Sequence, residues 1–551
     1  MTAEADLVLR GATVVDGTGA PGRKADVAVS GDRIIEVGDV LPASGREEID
    51  LTGLVLAPGF IDIHTHFDAQ VLWDPALTPS SWYGVTTVVL GNCGFGIAPL
   101  RPPQRPTMMR TLETVEDMPL AGLETAIGWT FETFGEYIGT VARLPLALNV
   151  GAFVGHTPVR YYVLGDEAAD REATPDEIRE MADIVEQAMR SGAMGLATSV
   201  SSGHVGAYSK PVPSRLATEG EFQELAAAVG RTGVGCIMIA GPGGPLSFKQ
   251  FSSLSVSSGR PVLWSALLAG HTSRGTSVEL LEAHLGWEGD VRPQIACRPV
   301  VGQVNLANPM VLQRFECFKE AAGIPMEERR ALYGDAEWRA RALAQMEEQW
   351  GPRWDRVELA ESSGHGDLVG ATLAEVAAAR GQHPADAFID LSLEEDLTTR
   401  FTVVLANADE EQLAGLLRSP IALVGLSDAG AHLGQLCDAC FAPYLLGHWV
   451  REQRVLDLET AVWKLTGQPA EYLHLAGRGR IAPGAFADLV AFDPSTIGVS
   501  PLRRVNDLPG GADRVVSDPF GVEHVWVNGT AIRRGATPIE GAGPGRFVRP
   551  E

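Results

Sequence analysis

The chain has 551 residues, of which 45% are hydrophobic and 21% charged, a composition typical of a soluble globular protein with more than one domain. Its 70 acidic and 44 basic residues give a net charge of −26, which argues against a nucleic-acid partner because such partners need a basic face. Six widely spaced cysteines exclude a disulfide framework. Since no apolar run approaches the length of a membrane span and no signal-peptide pattern is present, we expect a cytoplasmic protein that contacts no membrane.

The two ends of the chain both predict short β-strands. In the first part, Gly and Asp separate β-rich segments at 6–10, 13–15, 26–29 and 33–37. Near the other end, Asn528 and Gly529 join two strand-like runs, which is a strong hairpin signal. Neither end has enough strands for a stable sheet. We therefore expect residues 1–57 and 478–551 to form one β-domain together.

The middle of the chain, 58–477, alternates short apolar strands with helical patterns. A Thr cap followed by Pro opens the clearest helix, at 175–191, and further helices are predicted at 219–231, 371–380 and 458–475. The candidate strands lie at 60–64, 85–90, 147–152, 194–199, 235–240, 262–267, 401–405 and 421–426. Eight strands interleaved with helices predict an α/β fold of the (β/α)8 TIM-barrel type.

One interval of the predicted barrel is too long for an ordinary loop. It separates the strand at 262–267 from the strand at 401–405. Connections between neighbouring barrel elements are normally short. We therefore predict an inserted subdomain late in the barrel, at about 284–365, with a helix near 327–349.

Two histidines follow the first strand of the predicted barrel. The run PGFIDIHTH, at 58–66, is apolar and ends in His64 and His66. Side chains alternate between the faces of a strand, so these two imidazoles point the same way. Together they can bind one divalent ion, although a pair of surface histidines would give the same pattern.

Further candidates lie where the second and eighth strands end, because barrel active sites form at the C-terminal ends of the strands. Cys93 follows the second strand among glycines, which would let the backbone approach a ligand closely. As a thiolate it would suit zinc, although a buried free cysteine is the alternative. Asp428 follows the eighth strand as a candidate metal ligand and catalytic base, or as a helix N-cap. His432 lies four residues later, as a catalytic candidate or an ordinary loop histidine.

The remaining candidates are residues for substrate binding. His156 follows the third strand and His204 the fourth, where barrel loops should line the pocket. Lys210, Arg215 and Arg298 are possible clamps for a substrate carboxylate. For each of these three cations a solvated surface charge is the alternative.

The motifs taken together resemble the amidohydrolase superfamily, specifically its D-aminoacylase (N-acyl-D-amino-acid deacylase) branch. The resemblance implies a metal-dependent barrel hydrolase with a β-domain built from both termini. The matching segments are 57–66, 84–94, 154–156, 195–199, 427–428 and 477–490, which span essentially the whole chain.

The resemblance also implies roles for individual residues. By motif, His64, His66 and Asp428 would bind a metal ion, and Cys93 would be the unusual cysteine ligand of this family. Asp428 would also be the general base that takes a proton from the attacking water.

The chain departs from the family pattern at strands five and six. The family places one metal-binding histidine at the end of each of these strands, whereas 235–240 and 262–267 contain none. His271 follows strand six only after several residues, which makes it a poor substitute. We therefore predict a divergent member with one zinc ion per chain, or another divalent ion in its place, rather than the usual two-metal site.

The leading hypothesis is a zinc-dependent hydrolase of carbon–nitrogen bonds other than peptide bonds. Its substrate would be a small N-acylated amino acid or a related amide, and the chain could form a homo-oligomer. Because a fold does not fix its chemistry, the same metal barrel could instead act as a lyase, a decarboxylase or another hydrolase. A non-catalytic binding protein is the third alternative.

Overall fold

The computed structural model describes residues 5–41, 45–272, 275–307, 309, 312, 315–321 and 324–551. The chain divides into two compact units, which are described separately. The first unit contains Met1–Arg298, Asp409–Leu433 and Cys437–Glu551, and the second contains Pro299–Ala408 with Gly434–Leu436.

Eight parallel strands form the barrel of the first unit, as predicted. They are β1 (Phe60–Asp62), β2 (Val85–Leu90), β3 (Asn149–Ala152), β4 (Gly195–Ser199), β5 (Cys236–Ala240), β6 (Val262–Ser265), β7 (Val291–Ile295) and β8 (Leu423–Val424). Their side chains are almost all buried, as expected for strands covered on both faces.

The barrel is closed by backbone pairing around the whole ring. β1 pairs with β2 and β2 with β3, while Val154–Gly155 continues the chain beyond β3 and pairs with β4. From β4 to β8 each strand pairs with the next. A parallel bridge between Thr65 and Ala429 joins the ends of β1 and β8, and the backbone N–H of His66 donates to the carbonyl of Ala429 at 2.7 Å. This closure brings the two predicted metal-binding segments side by side.

Helices cover the outside of the barrel. The helix Pro175–Ser191 begins with a reciprocal capping box between Thr174 and Glu177 and ends at Gly192, whose φ of 110° favours glycine. Within the described part of the chain, no helix is long and apolar enough to cross a membrane. The main α-helices of this unit are Arg105–Glu116, Leu120–Ala126, Phe134–Val141, His156–Leu164, Pro175–Ser191, Glu219–Thr232, Phe248–Ser258, Ser277–His284, Glu410–Arg418, Leu458–Leu465 and Gly467–Tyr472.

Segments from both ends of the chain share one nine-stranded sheet. Leu489–Phe492 lies between Val55–Pro58 and Val522–Val527, and it pairs antiparallel with both of them. The sheet therefore cannot be completed by either end alone. Its other strands are Ala5–Val14, Arg23–Ser30, Arg33–Gly38, Gly45–Asp50, Thr530–Arg534 and Thr537–Pro538.

The second unit contains a three-stranded antiparallel sheet and a small helical core. In this sheet Arg400–Ala406 pairs with Val300–Val304 and with Glu358–Glu361. The helices are Glu316–Lys319, Met326–Gly334, Ala336–Trp350, Leu373–Arg380 and Pro384–Glu394, packed around buried aromatic residues such as Trp338 and Phe388. The unit extends over 299–408 instead of about 284–365.

The assignment of 401–405 to the barrel was wrong. Those residues belong to the antiparallel sheet of the second unit, and the seventh barrel strand is Val291–Ile295. This strand contains Arg292, Pro293 and Gln294, which break the apolar pattern used to find strands. Pairing with β6 and β8 makes it a strand despite that composition.

Lys464 lies buried in the helix Leu458–Leu465, beside the start of β8. Its ammonium donates to the carbonyl oxygens of Ser419 at 2.6 Å and Ala422 at 3.2 Å. Burial lowers the pKa of Lys464 to about 7. Above that pH the unfolded chain still binds the proton that the folded chain has released, so stability should rise with pH.

We therefore expect Lys464 to contribute about 2 kcal/mol of added stability between about pH 7.5 and pH 9. The free energy of unfolding, measured by urea denaturation across this range, checks the prediction. In Lys464→Met the contribution should disappear, because no titrating group remains at this position. An equally steep rise in the variant would assign the pH dependence to other groups.

Candidate metal centre

The first two candidate ligands lie at the C-terminal end of β1. The extended backbone continues beyond Asp62, since the N–H of Thr65 donates to the carbonyl of Val89 at 3.1 Å. His64 and His66 are both buried and their rings lie edge to face, with centroids 5.4 Å apart. The strand alternation therefore places both imidazoles on one face.

Cys93 reaches the same place from the turn that follows β2. Its backbone has a φ of 56°, in the left-handed region, and its Sγ lies 3.5 Å from Nε2 of His64. Close packing requires the glycines on either side of this turn. A Cβ at Gly91 would lie 2.4 Å from the carbonyl oxygen of Phe153, and a Cβ at Gly94 2.7 Å from Cα of Thr198.

Asp428 completes the cluster from the loop that follows β8. Its Oδ1 lies 3.1 Å from Nε2 of His64 and 3.6 Å from Nε2 of His66. The backbone is in the left-handed region at Leu426, Asp428 and His432, with φ of 58°, 45° and 50°. Such conformations cost energy in residues other than glycine, and they occur often at functional sites.

These side chains form a set of donors suited to a divalent metal ion. Ligand atoms of His64, His66 and Cys93 all lie within 4.8 Å of one another, and all three residues are buried. Asp428 adds a carboxylate oxygen to two imidazole nitrogens and one sulfur. Zinc accepts this combination of nitrogen, sulfur and oxygen ligands.

The electrostatics of the cluster also favour a bound cation. Burial lowers the pKa of His64, but Cys93 and Asp428 outweigh burial and raise that pKa to about 10. Burial raises the pKa of Asp428, yet both histidines hold it well below its ordinary value. The cluster thus attracts positive charge at neutral pH, which a metal ion can supply in place of protons. The residues present therefore fit a metal ion.

Each histidine ring has a partner on the side away from the cluster. Nδ1 of His64 lies 2.5 Å from Oε1 of Gln294, a residue of β7. Nδ1 of His66 lies 3.5 Å from Oε1 of Glu116. Neither partner was predicted. Gln294 is a polar residue inside a barrel strand, a signal that was missed with β7 itself, whereas Glu116 lies in a helix whose sequence resembles any surface helix.

His432 lies beside the cluster and contacts Glu116 twice. Its backbone N–H donates to the carbonyl of Glu116 at 2.6 Å, and its Nε2 lies 3.9 Å from Oε2 of the same residue. About a third of the His432 side chain is exposed. Its ring is therefore accessible to solvent, while its backbone is held by Glu116.

The ends of β5 and β6 supply no imidazole to the cluster. β5 ends at Ala240 and β6 at Ser265. Among the described residues, the group of His64, His66 and Cys93 is the only one in which three potential metal ligands come together. The side chain of His271 lies outside the part of the chain that the structure describes.

His204 follows β4 and interacts electrostatically with His66 and Asp428 of the cluster. Its Nδ1 is 2.6 Å from Oγ of Ser199, the last residue of β4, and its ring packs against Phe95. Burial lowers the pKa of His204 to about 4. The imidazole is therefore neutral at physiological pH.

The three predicted cationic clamps already have protein partners. Lys210 pairs with Asp170 on the surface at 2.6 Å, and Arg215 donates to the carbonyl of His204 at 3.1 Å. Arg298 follows β7, donates to the carbonyl of Cys437 at 2.9 Å and lies 3.5 Å from a carboxylate oxygen of Asp438. Its side chain is 12% exposed.

His156 occupies a buried ion-pair network, where we had predicted a substrate contact. Its Nδ1 lies 2.9 Å from Oγ1 of Thr198 and its Nε2 lies 2.8 Å from Oε1 of Glu221. Arg160 donates to both oxygens of Glu221 at 2.6 Å, and all three charged or titratable side chains have no exposed surface. Because both ring nitrogens of His156 have partners, the structure favours a structural role.

A cavity of about 630 Å³ lies elsewhere in the first unit. It is lined by Glu471, His474, Arg480 and Glu551 together with several glycines and alanines. None of the predicted metal ligands belongs to this lining, so the cavity is not the site of the predicted chemistry.

Comparison with known proteins identifies relatives over nearly the full length. A D-aminoacylase of Alcaligenes xylosoxydans xylosoxydans is 32% identical over 541 residues, which cover 96% of this chain and 94% of that protein. A solved D-aminoacylase has a binuclear metal centre with one-metal activation and second-metal attenuation. That structure is 28% identical, with a TM-score of 0.65, and the match covers 99% of this chain and 100% of that chain.

A second solved structure extends the comparison to a ligand-bound relative. It is an N-acyl-D-glutamate deacylase of Bordetella bronchiseptica, complexed with zinc and a phosphonate that mimics the tetrahedral intermediate. It is 25% identical with a TM-score of 0.67, covering 99% of this chain and 100% of that one. The model described as "Amidohydrolase family" matches residues 47–532. The predicted resemblance is thereby confirmed, and the chain belongs to the amidohydrolase family.

Proposed function

We propose that this protein hydrolyses the amide bond of a small N-acylated amino acid with the help of one divalent metal ion, zinc in the first instance. The observation that supports the proposal is the buried donor set of His64, His66 and Cys93, with Asp428 at 3.1 Å from His64. These three residues match the number of protein ligands in a catalytic zinc site, which keeps one position open for water or substrate, and Asp428 lies next to them. The similarity to D-aminoacylase and to the zinc-bound deacylase supports amide hydrolysis.

The bound ion would supply Lewis acidity at the substrate carbonyl. Asp428 would accept a proton from the attacking water and pass it to the leaving nitrogen. His432, which is partly exposed beside Asp428, would contact the substrate. Neutral His204 would contribute a hydrogen bond to the substrate.

A substrate carboxylate needs a cation close to the metal centre. We propose Arg298 for this role, because it follows β7 directly and its neighbour Asp438 interacts electrostatically with Asp428 and His432. Lys210 is a weaker candidate, since it is paired with Asp170 at the surface. Arg215 would act indirectly by fixing the backbone of His204.

We expect about one tightly bound zinc ion per purified chain and turnover of at least one N-acyl D-amino acid. Elemental analysis gives the stoichiometry, and a panel of acylated acidic, basic and apolar amino acids of both configurations gives the activity. His64→Ala should lower both, because it removes a ligand of the only described donor cluster. His365→Ala, which removes a histidine of the second unit that pairs with Glu394 at the surface, is the matched control.

Two results would contradict the proposal. Two equally occupied metal ions would show that ligands outside the cluster take part. A tightly bound ion without turnover of any N-acyl amino acid would indicate that the barrel performs another reaction.

A further inference from the structure

A buried carboxylate lies directly behind the metal centre. Glu116 is the last residue of the helix Arg105–Glu116, and only 3% of its surface is exposed. Among the residues that the structure describes, its ion-pair partners are His66 and His432, and no lysine or arginine pairs with it. Its negative charge therefore faces the metal-binding cluster.

The position is unfavourable for a carboxylate considered by itself. Burial removes water from the charge, and the C-terminal end of a helix carries a partial negative charge that repels it. The energetic cost of keeping a carboxylate in such a place must be offset by a favourable interaction elsewhere in the structure. The nearby groups that can offset it are two histidines, one of them a candidate metal ligand.

One ring nitrogen of His66 faces the cluster, and the other ring nitrogen faces Glu116. Its Nε2 is 3.6 Å from Asp428, and its Nδ1 is 3.5 Å from Glu116. An imidazole that binds a metal through Nε2 carries its proton on Nδ1, and a negative partner at Nδ1 selects this tautomer. Because 3.5 Å exceeds a normal hydrogen bond, Glu116 acts mainly through its charge.

The second metal-binding histidine provides an internal comparison. Nδ1 of His64 has a neutral partner, the side-chain oxygen of Gln294, at hydrogen-bond distance. The two rings are thus oriented by different means, an amide for His64 and a carboxylate for His66. Only the second arrangement adds negative charge behind the metal.

Glu116 also holds the loop that carries Asp428. Its carbonyl accepts the backbone N–H of His432 at 2.6 Å, and its carboxylate lies 3.9 Å from the ring of His432. This residue thereby joins the end of β1 to the loop after β8. The two segments contribute three of the four candidate ligands.

We propose that Glu116 is a positioning residue of the metal centre, which orients His66 as a ligand and fixes the Asp428 loop through His432. The inference rests on the proposed function only in assuming that the cluster binds a metal ion. It assumes nothing about which substrate is hydrolysed.

The test compares Glu116→Gln with wild type in metal affinity rather than in activity. Competition with a chelator should show zinc bound about 10–100-fold more weakly, the usual effect of removing such a partner. The visible spectrum of the cobalt-substituted protein should also change, because the geometry at the metal changes. Glu113→Gln, one turn earlier on the same helix, is the matched control and should behave as wild type. Glu116→Asp, which keeps the charge, should recover part of the affinity.

Wild-type zinc affinity and cobalt spectrum in Glu116→Gln would overturn the inference. If that variant does not fold, wild-type zinc affinity in Glu116→Ala, which also removes the charge, would overturn it equally. The outcome is distinguishable from failure of the proposed function, because a wild-type protein that binds zinc without hydrolysing amides still permits the comparison. A wild-type protein that binds no divalent ion would overturn both.

Discussion

Replacing Asp428 with Asn should lower kcat by about two to four orders of magnitude while the protein folds normally. Asn is nearly isosteric and can still offer a carbonyl oxygen to a metal ion, but it cannot accept a proton at neutral pH. His64 and His66, which lie next to Asp428, remain in this variant. Part of the metal affinity should therefore survive. The measurement is kcat of the metal-loaded variant on the substrate identified by the panel.

The matched comparison for this variant is His432→Ala. We expect a smaller loss of kcat there, since His432 is assigned a supporting role at the edge of the cluster. Near-normal turnover of Asp428→Asn would rule out Asp428 as the base. The partly exposed His432 and the neutral His204 would then be the next candidates.

Replacing Glu221 with Gln should destabilise the fold by about 3–5 kcal/mol, the usual cost of breaking a buried ion pair. Arg160 donates to both carboxylate oxygens, and neither side chain has exposed surface, so the variant leaves a buried positive charge without its partner. His156 loses its charged partner in the same step. The free energy of unfolding, measured by urea denaturation of both proteins, checks this expectation.

The control for this prediction is Glu219→Gln on the exposed face of the same helix, which should change stability by less than about 0.5 kcal/mol. A loss below about 1 kcal/mol in Glu221→Gln would mean that the network contributes little. A Glu221→Gln protein that is stable but has a strongly raised KM would restore His156 as a substrate-binding residue.

The sequence predicted those barrel strands that can be recognised from their own residues alone. Apolar strands such as Val85–Leu90 and Gly195–Ser199 are buried on both faces and are visible as continuous runs. Val291–Ile295 was missed because its Arg, Pro and Gln are tolerated only through pairing with β6 and β8. Conversely, 401–405 has the composition of a barrel strand but pairs antiparallel in the second unit.

In the candidate site, too, only the residues that are close in sequence could be related to one another before the fold was known. His64 and His66 could be paired from sequence because strand alternation is a local rule. Their supports, Gln294 and Glu116, come from distant segments, and no spacing in the chain relates them to the histidines. The buried role of His156 likewise depends on Glu221, which approaches it only in the folded protein.

The distribution of ligands along the chain has a consequence for synthesis. His64, His66 and Cys93 follow the first two barrel strands, whereas Asp428 comes after residues 299–408 of the second unit. A ribosome therefore releases three donors, including the soft thiolate, long before the carboxylate and the closing strand. Metal capture by the nascent chain would be governed by thiolate and imidazole preference, which favours zinc and copper(I) over magnesium. Growth under metal limitation should thus change the yield of folded protein as well as its metal content.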